Sequence, residues 1–195
     1  MPPAPLPNNE SERYIALMAY RHRGLVADVR AVDLVKQAKA FFESEQAVIA
    51  LVGRTRVYFL AEVGAGFDSL PREHSFCGYT IHDRTPLVVE DAQRDVRFAD
   101  NPYVAGPPFL RFYAGAPLVD RDGYCLGTFC LVGLQPRSLS PAELSRLVEL
   151  SGQAMQLIEL QKTLSVLYQA YSLEQAMPSP ARVTAVPAAR IGARS

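Results

Sequence analysis

Between Ser11 and Phe42, apolar residues recur mainly at three- and four-residue steps: Ile15, Leu17 and Met18, then Leu25, Val29, Val32, Val35 and Phe41. That spacing lines one face of a helix, and Gly24 is expected to divide the stretch in two. The pattern then changes. QAVIALVG (46–53) and RVYFLAEV (56–63) are rich in β-branched and aromatic residues and meet at a short turn over Gly53–Thr55, a hairpin signature. A second hairpin is expected from RFYAGAPLV (111–119) and YCLGTFCLVGL (124–134). It turns through DRDG at 120–123, where Gly123 suits a positive φ.

The stretch from Pro71 to Pro108 is less regular. HSFCGYTIHD (74–83) reads as a short helix and PLVVED (86–91) as a strand. Asp91 is a good N-cap for a short helix over 92–98, and Pro102, Gly106, Pro107 and Pro108 predict a loop after it. Ser140, Pro141 and Glu143 form a capping box with proline at the first helical position. The long helix they open is expected to reach about Leu173. Residues 1–9 carry four prolines and few core formers, so they read as a flexible leader. The stretch from Ala176 onward holds three prolines, three arginines and no acid, so 174–195 read as a disordered tail and 10–173 as the domain.

Strands joined by tight hairpins are antiparallel, because a parallel connection needs a crossover of a dozen or more residues. The expected fold is therefore an α+β domain, with helices on one face of the sheet and the irregular segment on the other. Of 195 residues, 49% are hydrophobic, which suffices for one substantial core. Twenty basic residues balance 20 acidic ones, so no overall field draws in nucleic acid. The run AVIALVG is far short of the roughly 18 residues that span a membrane. Three cysteines, an odd number, favour reduced thiols in a cytoplasm over a disulfide framework.

Six phrases in register then carry a resemblance: SFC, VVEDA, RFADNP, RFYAGAPL, the glycine-led LGTFCL and PRSLS, all within residues 75–144. This run resembles the GAF domains of bacterial signalling proteins, in particular the subgroup found in sensor histidine kinases and diguanylate cyclases. The resemblance implies a six-stranded antiparallel sheet with the N- and C-terminal helices packed on one face and a loop-enclosed small-molecule pocket on the other. It further implies a sensory role, commonly in homodimers, and leaves the ligand and any cofactor unknown. The asparagine–lysine pair of cyclic-nucleotide-binding relatives has no counterpart here, and Cys77 lacks the adjacent histidine of bilin-attaching ones. The free methionine sulfoxide reductases share the fold, but the sequence around Cys77, Cys125 and Cys130 does not match their motifs.

Candidate chemistry is sparse. Cys125 and Cys130 lie five apart on one expected strand, which points them to opposite faces. Cys77, bordering the expected pocket, is the thiol with a possible ligand or redox role; the bland alternative is a small inert hydrophobe. His74 and His82 flank SFCGYTI without a third metal ligand at recognisable spacing. Glu90, Asp91, Asp95 and Asp100 interleave with Arg94 and Arg97, which suits capping and a solvated face better than a cation site. Arg111 opens a strand after the PPFL loop and is placed either to clamp an anionic ligand or to lock the loop through Asp100 or backbone carbonyls. Phe76, Tyr79, Phe98, Phe109 and Tyr113 are candidate aromatic walls for a planar or apolar guest; each serves equally as core. With Asp91, Cys77 and Arg111 they make up the expected ligand-binding set.

Phosphate loops, zinc motifs and nucleophile elbows are missing from the sequence. The function expected is a noncatalytic, ligand-sensing signalling module whose output passes to a separate kinase or cyclase protein, or which is a piece of a longer sensor. Two alternatives stay open: a thiol-dependent reductase of free methionine sulfoxide, and a ligand-free dimerisation scaffold. On the long helix, Leu150, Ala154, Leu157, Leu164, Tyr168 and Tyr171 step by threes and fours around Gln161 and make a seam for a partner helix. A homodimer through the terminal helices is expected, with neither nucleic acid nor membrane as a partner.

Overall fold

Two amphipathic helices open the chain in the computed structural model, which describes residues 2–21 and 28–176. Helix α1 spans Glu10–Arg21 and α2 spans Val29–Phe42. Asp28 caps α2, its side chain accepting from Arg30 N, as an N-cap aspartate does for the open amides of a first turn. The expected break at Gly24 falls outside the described residues, as do Leu25 and the tail beyond Ala176.

Six strands follow: β1 (Gln46–Val52), β2 (Arg56–Val63), β3 (Ser69–Pro71), β4 (Leu87–Val89), β5 (Phe112–Val119) and β6 (Cys125–Gly133). They form one open sheet in the order β3-β2-β1-β6-β5-β4, with every neighbouring pair antiparallel. Both expected hairpins are present. Gly123 has φ 83°, and Asp120 Oδ1 ties the turn by accepting from the amides of Asp122 and Tyr124. Helix α5 covers Pro141–Ala176. Ser140 N donates to Glu143 Oε2 at 2.8 Å while Glu143 N donates to Ser140 Oγ at 3.3 Å, the reciprocal pair of a capping box.

Each face of the sheet carries its own apolar cluster. On one side, Ile49, Phe112, Leu118, Phe129 and Leu131 pack against Leu17, Val35, Leu147, Leu150 and Ile158 of α1, α2 and α5. On the other, Val48, Val57, Tyr113, Cys130 and Val132 lie beneath α3 (Cys77–Asp83) and the irregular segment that follows it. This places the terminal helices and the irregular arch on opposite faces, as an α+β domain of this kind requires. Both faces of β1 are covered, so its central residues Val48–Val52 are all buried.

Several local expectations need correction. Residues 92–98 form turns, without a helix: Asp91 Oδ1 accepts from Gln93 N and Asp95 Oδ1 from Arg97 N, both two residues on. Such side-chain bonds give the backbone a local alternative to helical pairing. The short helix comes later, at α4 (Pro102–Ala105), where Asn101 caps and Pro102 takes the first position. Residues 2–9, expected to be a flexible leader, lie against α3: Tyr79 Oη donates to Pro2 O at 2.8 Å, His82 Nδ1 is 3.2 Å from Leu6 O, and Ala4 packs on the arch cluster.

The cysteines of β6 also depart from plain alternation. Leu118 pairs with Gly127 but Val119 pairs with Cys125, leaving Leu126 as the extra residue of a bulge. The bulge resets the side-chain parity, so Cys125 and Cys130 both belong to the arch-side cluster and not to opposite faces.

Candidate functional site

A small cavity of about 50 Å³ lies between the arch and the sheet. Val48, Tyr113, Cys130 and Val132 make its floor; Phe76, Cys77 and Leu110 descend from the arch; Phe59, Phe67, His74, Tyr103 and Pro108 stand around them. On the same measure one water needs roughly 10–15 Å³, so the space holds a few waters and its walls are almost wholly apolar.

The reason for its size is aromatic packing. Phe76 stacks on Phe98 at 4.2 Å and on Tyr113 at 5.0 Å between centroids, and Tyr79 meets Phe98 edge-on at 4.9 Å. Such pairs contribute about 0.5–1.5 kcal/mol each beyond their burial. Tyr113 reclines along its own strand over Gly115, where a Cβ would sit 2.2 Å from the Tyr113 hydroxyl. Glycine at 115 is therefore what lets this ring lie flat.

Of the expected ligand-binding set, Phe76, Cys77 and Tyr113 line the cavity. Tyr79 and Phe98 stand behind Phe76 as its support. Arg111 donates to Val104 O at 3.0 Å and Leu110 O at 2.9 Å, so its guanidinium locks the α4 loop. Asp91 caps a turn and pairs with Arg94 at 3.5 Å. Phe109, at φ 61°, is 49% exposed. Sequence reasoning missed the contribution of β1 and β2: Val48 and Phe59 sit on strands apolar on both faces, where alternation carries no signal about which residue meets a cavity. His74 lines the cavity and meets Tyr103 edge-on, whereas His82 turns to Leu6 O.

The polar centre of the cavity is a thiol and its surroundings. Cys77 Sγ accepts from Tyr113 Oη at 3.6 Å, and that hydroxyl is 3.1 Å from Thr80 Oγ1. The interaction of Cys77 with the neighbouring Cys130 outweighs burial, and with the Ser75 and Tyr113 hydroxyls it holds the Cys77 thiol below the usual thiol range. Cys130 moves the other way, raised by its interaction with Cys77 and by burial. Tyr113 is raised by burial and by the neighbouring Cys77. Cys125 stands apart, its thiol donating to Gly127 O and pushed up to about 11 by burial. Among the described residues, no group of three or more His, Cys, Asp or Glu side chains is arranged to hold a metal ion, and no helix is long and apolar enough to cross a membrane.

Comparison with known proteins places this geometry. The pattern that defines the GAF domain matches residues 28–158. A cyclic di-GMP phosphodiesterase of Pseudomonas aeruginosa is 36% identical over 136 residues, which are 70% of this chain and 23% of that protein. The chain thus spans under a quarter of the curated relative it matches. Among solved structures, the GAF domain of an Acinetobacter phosphoenolpyruvate-protein phosphotransferase superposes with a TM-score of 0.57 at 20% identity, covering 79% of this chain and 95% of that one. A type II free methionine-R-sulfoxide reductase from Thermoplasma acidophilum gives 0.57 at 10% identity, covering 68% and 92%. These two likenesses concern the fold alone.

Proposed function

The chain belongs to the GAF domain family, generally regulatory sensory modules, and from that premise we propose that it is a noncatalytic sensor whose cavity over the sheet detects a small molecule. One observation carries the reading: the strands that floor the cavity also bear the signalling helix. On β5, Tyr113 faces the cavity while Phe112 and Leu118 pack under the helical layer, and Ser151 of α5 donates to Pro117 O at 2.6 Å. A guest that moves Tyr113 therefore loads the strand on which α5 is anchored. Ligand state shifts the position of α5 only to the extent that the guest binds its two arrangements unequally.

The size of the cavity favours this over the reductase reading. Free methionine sulfoxide exceeds a space for a few waters, as does a cyclic dinucleotide, and a larger ligand requires the Phe76–Phe98 stack to part. In this reading the output is a kinase, cyclase or phosphodiesterase activity on a partner or a further segment, in keeping with the relative from Pseudomonas aeruginosa. The test is native mass spectrometry of the purified protein, together with a thermal-shift screen of small metabolites. A retained or stabilising small molecule supports sensing, and none of any class leaves the ligand-free scaffold.

The second half of α5 favours a homodimer as the assembled form. Its burial ends at Ile158; beyond it Leu164, Leu167, Tyr168 and Tyr171 are all more than half exposed on the last turns of the helix. The expected seam divides accordingly, with Leu150 and Ala154 spent on the chain's own sheet and Leu164, Tyr168 and Tyr171 left for a partner helix.

A further inference from the structure

Cys77 and Cys130 reach the cavity from different elements, the first residue of α3 and the middle of β6. Both thiols are free, both are buried, and both line the same small space. Each is the neighbour that acts most strongly on the other's titration. The Tyr113 hydroxyl donates to Cys77 Sγ from the β5 side, fixing the sulfur against the cavity floor. Two adjacent thiols facing an apolar void invite a reagent that is small, neutral and thiophilic.

We propose that Cys77 and Cys130 form a peroxide-responsive dithiol, oxidised to a disulfide by a hydroperoxide small enough to enter the cavity. The inference rests on the reading of this cavity as the sensing element and names the guest. At about 50 Å³ the space admits hydrogen peroxide, whose bulk is roughly that of two waters, and excludes bulky organic hydroperoxides.

The chemistry runs in two steps. Cys77 sulfur attacks one peroxide oxygen; a sulfur–oxygen bond forms, the oxygen–oxygen bond breaks, and the departing hydroxide takes up the proton lost by the Cys77 thiol and leaves as water. Cys130 sulfur then attacks the sulfur of the Cys77 sulfenic acid; the disulfide bond forms, the sulfur–oxygen bond breaks, and the Cys130 proton goes to the departing hydroxide. Two thiols and one peroxide become one disulfide and two waters, with the sulfurs giving up two electrons in all. The depressed Cys77 thiol suits the attacking role and the raised Cys130 thiol the resolving one. Cys125, held at about 11 and outside the cavity, is a built-in control.

The experiment treats the reduced full chain with hydrogen peroxide, unfolds it in N-ethylmaleimide, and reads intact mass and peptide map. The expected result is one alkylated cysteine out of three, at Cys125, and a peptide linking Cys77 to Cys130. Cys130→Ser is expected to stop at a sulfenic acid on Cys77 that dimedone captures, and Cys77→Ser to leave both remaining thiols open to alkylation. Cumene hydroperoxide is expected to form the link at least tenfold more slowly than hydrogen peroxide. Three alkylated thiols in peroxide-treated wild type, a link through Cys125, or equal rates with the two peroxides would overturn the proposal. The wild-type measurement stands even if a variant fails to fold. A metabolite screen without hits, beside an observed Cys77–Cys130 link, removes metabolite sensing alone; three free thiols in a protein that does retain a ligand removes the dithiol alone.

Discussion

At the scale of single residues, the most consequential polar group outside the cavity is Glu10. Its carboxylate bridges Arg13 Nε at 2.7 Å and Arg72 Nη1 at 2.5 Å, and both guanidiniums are buried. Arg72 also donates to Gly53 O at 3.0 Å, tying the start of α1 to the β1–β2 turn. Burial alone would raise the Glu10 carboxyl, but hydrogen bonds from Arg13 and then Arg72 outweigh it and the net movement is downward. A carboxyl depressed on folding contributes stability that is fully present above its unfolded value, near 4.5, and is lost as pH falls through the folded one. Glu10→Gln strands two buried cations and is expected to cost about 3–5 kcal/mol at neutral pH. Urea unfolding should show that loss and a flatter acid limb below pH 5. Arg111 illustrates what single residues in the sequence leave open: its place at the start of β5 was legible, but only the positions of Val104 O and Leu110 O decide that it holds a loop.

Elements announced themselves in proportion to how locally they are determined. The capping box at Ser140 is a four-residue device that works without tertiary help, and α5 starts where the sequence puts it. Ser140→Ala removes one of its two reciprocal bonds and should cost about 1 kcal/mol, measurable as a lowered urea midpoint with an unchanged slope. The two hairpins were equally legible. Strand β3, three residues at the sheet edge, was implied only by the family resemblance, since Ser-Leu-Pro has too little pattern to betray a strand. Residues 92–98 misled because Asp91 and Asp95 are good caps for a helix and equally good closers of a two-residue turn. Pro102 misled in the opposite sense, being a helix starter once Asn101 caps ahead of it. The bulge in β6 had a signal in Gly127, a lone glycine inside a strand pattern. A Cβ there would lie 1.9 Å from Ala50 O, so β1 presses directly on that position.

At the scale of the whole molecule, α5 sets the dimensions. Its 36 residues make a rod of about 54 Å, and the last third projects past the layer it covers. Light scattering of the purified chain is expected to give the mass of a dimer. Leu164→Glu with Tyr168→Glu should give a folded monomer, its far-UV spectrum kept and its melting temperature no longer rising with protein concentration, because both side chains are more than half exposed in the single chain. A monomeric wild type would remove the dimer from the proposed function without touching the cavity. The candidate site was half visible in the sequence: Phe76 and Cys77 of the arch and Tyr113 of β5 stood out, whereas the extra residue Leu126 puts Cys125 on the same face as Cys130, against plain alternation. That residue gives the domain an asymmetric tolerance to length change. Deleting Leu126 would restore strict alternation and turn Cys125 to the opposite side of the sheet from the one it now faces, so at this point of β6 the loss of a single codon should disturb the layers more than a swap of one buried apolar side chain for another of like volume.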